Sequence, residues 1–452
     1  MHLVTWSIAI LVASAGASWL LTMPVARLGL RTGLVDLPSS RRTRARPVPT
    51  TGGVVIFLTI AASLLLALRF YSYVAPGVAL NLTALLVGGT VIVILGMIDD
   101  RVNLKPGVKL AVQTAVAITM VASGVAMERV QFFFGPVWEL GWLSYPITVF
   151  WLVGFMNAFN LIDGLDGLAG GIAVIAASGL FVVGLSNNNP LLYMMIAGVF
   201  GSGIGFLLHN FREGNVYLGD AGSMALGFFL AGGAVIGGRN DLASNAVLVV
   251  GACMVVPAFD VITTIIRRGR SRKGVMTPDQ SHTHHRLIRF GLNPKAAVIV
   301  LWGVTLFFGW QMLGLVAPFG LIYLLGSYVV ALGVVNVLME QRRKNLRTMQ
   351  SDLREEVLYL VGLGDTGDTG DGEASSLREI IVDQIRREAL YRRMVRDEAA
   401  GRTPEQPASR GASDSRAAPD IGEQAASGPS ASLDTGKLPQ DAGIKRNSPG
   451  DE

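Results

Sequence analysis

The chain alternates between long apolar runs and short polar connections. Eleven runs, at 3–25, 52–68, 80–98, 108–126, 146–162, 168–186, 190–208, 222–238, 246–266, 296–315 and 317–338, are almost free of charge. Runs of about 17 to 25 such residues cross a hydrocarbon core of about 30 Å as helices. The pattern predicts an all-α integral membrane protein with about eleven transmembrane helices in residues 1–340. A cytoplasmic tail at 341–400 follows, and then a disordered tail at 401–452. The first run has no basic start and no small-residue cleavage site, so it reads as a retained helix rather than a signal peptide. Glycines inside the runs, as in "AGGIAVIAASG" and "FLAGGAVIGG", suit close helix packing in lipid.

Composition sharpens this picture. The chain is 51% hydrophobic and 16% charged, against roughly 25% charged in soluble domains. Basic residues collect in alternate connections: Arg27 to Arg46, Arg101 and Lys105, Arg212, Arg267 to Lys295, and Arg342 to Arg347. The opposite connections carry only Arg69, Arg129 and Arg239. By the excess of basic residues in cytoplasmic loops, the N-terminus is outside and the C-terminus cytoplasmic. The net charge of +5 is then a topology signal, and no nucleic acid is implied. The single Cys253 excludes an internal disulfide framework. In the tail, "LREIIVDQIRREALYRRMVRDEA" places Leu377, Ile381, Ile385 and Met394 on one side of a possible amphipathic helix. The composition after Gly401 predicts disorder. "GDTGDTGDG" at 364–372 lacks the closing Glu of a calcium loop and reads as linker.

The polar residues that remain gather at one face. Asn157, Asn160 and Asp163 recur every three residues near the end of the fifth run, and Asp166 follows in the turn "DGLDG". Asp99 and Asp100 end the third run; Lys109 and Gln113 open the fourth. Asp220 precedes Gly222 and Ser223 at the start of the eighth. "HTHHR" in the longest cytoplasmic loop holds His282, His284, His285 and Arg286, with three of the chain's five histidines. Each cluster alone has a plain reading: a solvated helix end, a helix cap, hydrogen-bonding glue between helices or a snorkelling lysine. Their convergence on one membrane face favours a site.

Several carboxylates beside basic residues suit Mg²⁺ carrying phosphates, because magnesium takes one or two carboxylates plus phosphate oxygens and water. The turn "GDAGS" could add backbone N–H groups. The histidines have no Cys partner for a structural zinc site, and no glycine loop stands between a strand and a helix.

Six stretches, in this order, resemble a known family: "GLVDLPSSRRTRARPVPTTGG", "GMIDDRVNLKPGVKLAVQ", "NAFNLIDGLDGLAGG", "NVYLGDAGSMALGF", "PAFDVI" and "HTHHRL". They are similar to the polyprenyl-phosphate N-acetylhexosamine-1-phosphate transferases, the integral-membrane glycosyltransferase 4 family. The resemblance covers roughly residues 30 to 295. It implies transfer of a sugar 1-phosphate from a UDP-sugar to undecaprenyl or another polyprenyl phosphate, with release of UMP and a need for Mg²⁺ or Mn²⁺. It further implies Asp220, with Asp163, as metal ligands and Asp99 and Asp100 at the catalytic centre. Asp163, Asp166, Asn157 and Asn160 would line the nucleotide-sugar and metal region. Lys109 would join the polar lining. The loop of His282, His284, His285 and Arg286 would meet the donor's pyrophosphate or sugar. Arg44 and Arg46 belong to the first stretch as substrate-binding residues, although Arg44 stands where members usually have His, so a titrating role there does not carry over. "HTHH" rather than three consecutive histidines favours a UDP-N-acetylglucosamine donor over the muramoyl-pentapeptide donor of related enzymes. The resemblance also implies a bacterial inner membrane, a cytoplasmic active site and a homodimer. A divalent-cation transporter is the rival from another class. Transporters place their coupling acids near the midplane, whereas only Asp260 lies deep in a run here.

Overall fold

The computed structural model describes residues 2–36, 47–74, 76–131, 135–238, 244–270, 282–317 and 320–360. The helices in chain order are α1 (His2–Thr32), α2 (Gly52–Val74), α3 (Pro76–Val102), α4 (Pro106–Ala122), α5 (Ser144–Ile162), α6 (Leu168–Ser186) and α7 (Pro190–Glu213). Then come α8 (Gly219–Gly237), α9 (Ser244–Cys253), α10 (Val255–Arg270), α11 (Thr283–Arg289), α12 (Pro294–Val316) and α13 (Gly320–Leu360). Among the described residues, nine helices are long and apolar enough to span a membrane, and the pair α9–α10, bent by 62°, makes a tenth. The one predicted run left over is the fourth, which forms α4, at 17 residues shorter than the spans counted. The protein is therefore an all-α, multi-pass membrane protein.

Two small antiparallel ribbons escaped the helical reading. One pairs β1 (Val35–Asp36) with β2 (Val48–Pro49), in register Val35 to Pro49. The other pairs β3 (Arg129–Gln131) with β4 (Val137–Glu139). They are too short to leave an alternating pattern. The first has structural weight. Pro49 accepts a hydrogen bond from Tyr217 N–H at 2.9 Å, and Tyr217 and Leu218 accept from Gly52 and Gly53. The ribbon thus ties the start of α2 to the residues that open α8.

Helix α8 is the centre of the bundle. Every residue from Ala221 to Gly237 is buried, as expected of a helix that is apolar all round. It packs chiefly on α3 and α5, while α1 lies along α7. Polar groups inside the bundle turn to backbone, as Ser18 does toward the Ser202 carbonyl at 2.8 Å. That satisfaction is obligatory where no water reaches.

The predicted boundary at 340 falls inside α13, which runs unbroken to Leu360. The possible amphipathic helix around 377–394 and the tail at 401–452 lie outside the described residues, as do Arg44 and Arg46.

Candidate active site

Helix α3 ends with Asp99 and Asp100 side by side. Neighbours on a helix point about 100° apart, so the two acids meet different partners. Asp99 accepts a hydrogen bond from Leu104 N–H at 2.7 Å and pairs with the Lys109 ammonium. Pro106 in the first turn of α4 starts that helix, which sets Lys109 one turn inside it. The same ammonium donates to Asp220 Oδ2 at 3.1 Å. Asp220 in turn accepts from Asn160 Nδ2 at 2.8 Å through its other oxygen, and Asn160 also reaches Ser223 Oγ at 3.2 Å.

Asp100 turns the other way. Its Oδ1 accepts the backbone N–H of Asp220 at 2.9 Å, so it caps the helix that carries Asp220. The N–H groups of "GDAGS", which by sequence could cradle phosphate, are used in part for this. Gly219 makes the turn possible: its φ is +72°, and a Cβ there would stand 2.6 Å from Asp100 Oδ2. The start of α8 is also pressed between neighbours, because a Cβ on Gly53 or Gly96 would come within 2.2 Å of its backbone.

Burial is graded across the cluster. The side chain of Asp99 is 3% exposed, that of Lys109 21% and that of Asp220 33%. Asp220 is thus far more open to a ligand than Asp99. Two carboxylates, Asp99 and Asp220, share one ammonium, and a third, Asp100, stands behind Asp220 with its Oδ2 buried and without a hydrogen-bond partner. A buried carboxylate oxygen without a partner is costly, and a divalent cation would relieve that excess of negative charge. Among the described residues, no three His, Cys, Asp or Glu side chains converge as a complete metal cage. Magnesium does not need one when phosphates and water complete its shell, so the donor set fits Mg²⁺.

The other half of the site is built differently. Asp163 caps the C-terminus of α5, and Asp166 sits in the turn to α6. That turn is pinned at Gly167, whose N–H donates to Asn210 Oδ1 at 2.6 Å and whose carbonyl accepts from Trp302 Nε1 at 3.2 Å. Against the turn stands α11. Asp260 of α10, buried, accepts both Thr283 N–H and Thr283 Oγ1 at 2.6 Å. His282 Nδ1 lies 3.5 Å from its second oxygen, too far for a well-formed hydrogen bond. His284 is buried beside Gly164, where a Cβ would stand 2.6 Å from Nε2. Its ring centroid is 4.3 Å from that of His285. Burial, then the neighbouring His285, push His284 down to about 4. His285 is lowered by burial and by His282. Both imidazoles are therefore neutral near pH 7, suited to hydrogen bonding rather than to fixed positive charge. Arg286 lies on the exposed side of α11.

Asn157 takes the part of glue: its amide donates to Gln113 Oε1 at 2.7 Å and to the Val153 carbonyl at 2.8 Å. Asn160, one turn further, belongs to the charged cluster. Sequence reasoning missed Asn210 and Trp302. Asn210 was visible as a lone amide near the end of an apolar helix; Trp302 gave no signal.

The sequence profile of glycosyl transferase family 4 matches residues 82–238, from α3 to α8. The chain is 36% identical over 293 residues to the probable undecaprenyl-phosphate N-acetylglucosaminyl 1-phosphate transferase of Bacillus subtilis, covering 64% of this chain and 79% of that protein. It is 34% identical to the decaprenyl-phosphate N-acetylglucosaminephosphotransferase of Mycobacterium tuberculosis, over 62% of this chain and 75% of the relative. It is also 32% identical to the undecaprenyl-phosphate alpha-N-acetylglucosaminyl 1-phosphate transferase of Thermotoga maritima, over 69% and 91%. The chain belongs to the polyprenyl-phosphate N-acetylhexosamine-1-phosphate transferases of glycosyl transferase family 4.

Proposed function

We propose that the protein transfers N-acetylglucosamine 1-phosphate from UDP-N-acetylglucosamine to undecaprenyl or a related polyprenyl phosphate, releasing UMP. The observation that carries this reading is the cluster of Asp99, Lys109, Asn160 and Asp220 at the ends of four helices, inside the stretch that matches the family. The names of the relatives supply acceptor and sugar. The basic connections support a site on the cytoplasmic face, and the bacterial relatives support placement in a bacterial inner membrane.

The acceptor phosphate has a second pKa of about 6 and is largely dianionic at pH 7, so it needs little help from a base. One of its oxygens attacks the β-phosphorus of the donor. The bond from that phosphorus to the bridging oxygen breaks, and UMP leaves with the electron pair. The harder task is bringing two anions together, which is electrostatic work. Lys109 supplies positive charge at the meeting point, and Asn160 holds Asp220 in place. Asp99, already paired with Lys109, is poorly placed to serve as an obligatory base. Asp220, with Asp163, would hold Mg²⁺ or Mn²⁺, and the ion would supply charge neutralisation for phosphate groups. The neutral imidazoles of His284 and His285 face the donor as hydrogen-bonding groups.

The test uses protein purified in detergent with undecaprenyl phosphate, Mg²⁺ and UDP-N-acetylglucosamine, following UMP. Lipid-dependent UMP release that is lost in Asp220→Asn is the expected outcome. UMP release from UDP-N-acetylgalactosamine alone would overturn the choice of sugar. Failure of every UDP-N-acetylhexosamine with folded protein would overturn the reaction.

A further inference from the structure

Helix α11 has only seven residues, too few to hold their shape unaided. Its start hangs on Asp260. Its end is a Schellman turn, in which Gly291 N–H donates to the Ile288 carbonyl at 2.9 Å and Leu292 N–H to the Leu287 carbonyl at 3.2 Å. Gly291 adopts φ +90°, as such a turn requires. The Gly291 carbonyl is taken from outside: Asn345 Nδ2 donates to it at 2.8 Å and Gln341 Nε2 at 3.5 Å. Gln341 Oε1 also accepts from Asn293 Nδ2 at 3.4 Å, at the start of α12.

Gln341 and Asn345 continue a stripe on α13. Positions 334, 337, 338, 341 and 345 fall on one helix face. Val334, Val337 and Leu338 pack around Leu292 and Ala297, and the same small core receives Leu287 from α11 and Leu165 from between Asp163 and Asp166. The stripe is apolar where it meets that core and becomes amide at the Gly291 turn.

We propose that the cytoplasmic half of α13 is a positioning element for the histidine helix, with Gln341 and Asn345 fixing the Gly291 turn so that His284 and His285 stay against the "DGLDG" turn. Donor binding then depends on a helix outside the residues that match the family profile. The link to donor binding rests on the reading that the histidine helix meets the sugar nucleotide; the mechanical link does not.

Two measurements on the full chain in detergent separate these. In Gln341→Ala/Asn345→Ala, hydrogen exchange across 282–292 is expected to quicken, while exchange in α3 and α8 stays the same. The KM for UDP-N-acetylglucosamine is expected to rise about 3- to 10-fold, the effect of a lost net hydrogen bond, with kcat and the KM for the lipid within about twofold. Asn345→Gln keeps the amide and is expected to restore part of the affinity. Lys344→Ala, which removes only the surface pair with Glu340, is expected to behave as wild type. Unchanged exchange across 282–292 in the double variant would overturn the proposal. Quickened exchange with an unchanged donor KM would overturn its link to binding. If the wild type releases no UMP, the function reading falls and the exchange result alone decides the mechanical role of α13.

Discussion

The two halves of the site are held in opposite ways. The cluster of Asp99, Lys109, Asn160 and Asp220 sits on long helices packed so tightly that Gly53 and Gly96 have no room for a methyl group. It is rich in charge and needs nothing beyond the bundle to keep its geometry. The histidine half is a seven-residue helix hung from Asp260 at one end and from Asn345 at the other, and its histidines at 284 and 285 are uncharged. Chemistry that demands fixed charge is built on rigid elements. On the proposed function, recognition of a substrate that must enter and leave rests on a piece with its own supports.

That contrast can be broken at several points. The largest effect is expected from Asp220→Asn, with a drop in kcat of about 10²- to 10³-fold and little change in the thermal midpoint. A midpoint shift as large as that of a core mutation would instead make Asp220 structural. Lys109→Met comes next, because it leaves Asp99 buried without its cation, at a cost of about 3 kcal/mol. Adding Asp99→Leu to it is expected to recover the midpoint but not turnover. Gly96→Ala forces a methyl into the backbone of α8 and is expected to cost about 2 kcal/mol, with loss of activity through the displaced Asp220. Gly164→Ala touches only the histidine half. It pushes on the His284 ring, so a higher donor KM with a nearly unchanged melting point is the expected pattern.

The last effect is a pH dependence. His284 titrates near its ordinary 6.5 in the unfolded chain and at about 4 in the folded one, so between those values the unfolded state binds the extra proton. Stability therefore falls as pH drops from about 6.5 towards about 4, and this contribution is level above that range. Thermal midpoints taken across these pH values, with His284→Asn flattening the slope, measure it.

Much of this architecture was legible in the chain. Apolar runs mark helices because lipid tolerates little else, and acids at the ends of such runs call for partners, as Asp99 finds in Lys109. The twin aspartates show where legibility stops. Asp99 and Asp100 are identical and adjacent, yet one pairs with Lys109 and the other caps α8 from 120 residues away. Nothing local distinguishes them; the division is made by which neighbour each faces. Asp260 looked out of place inside a run until Thr283 arrived beside it. The stripe of α13 was present in the sequence, but its amides read as the ordinary polarity of a helix leaving the membrane.

The bond from Asp260 to Thr283 spans 23 residues. A chain that passes through a long connection and is then caught again by a fixed carboxylate has its position reset at the point of capture. Residues between the two anchors can be gained or lost without shifting His284 or His285 along their helix.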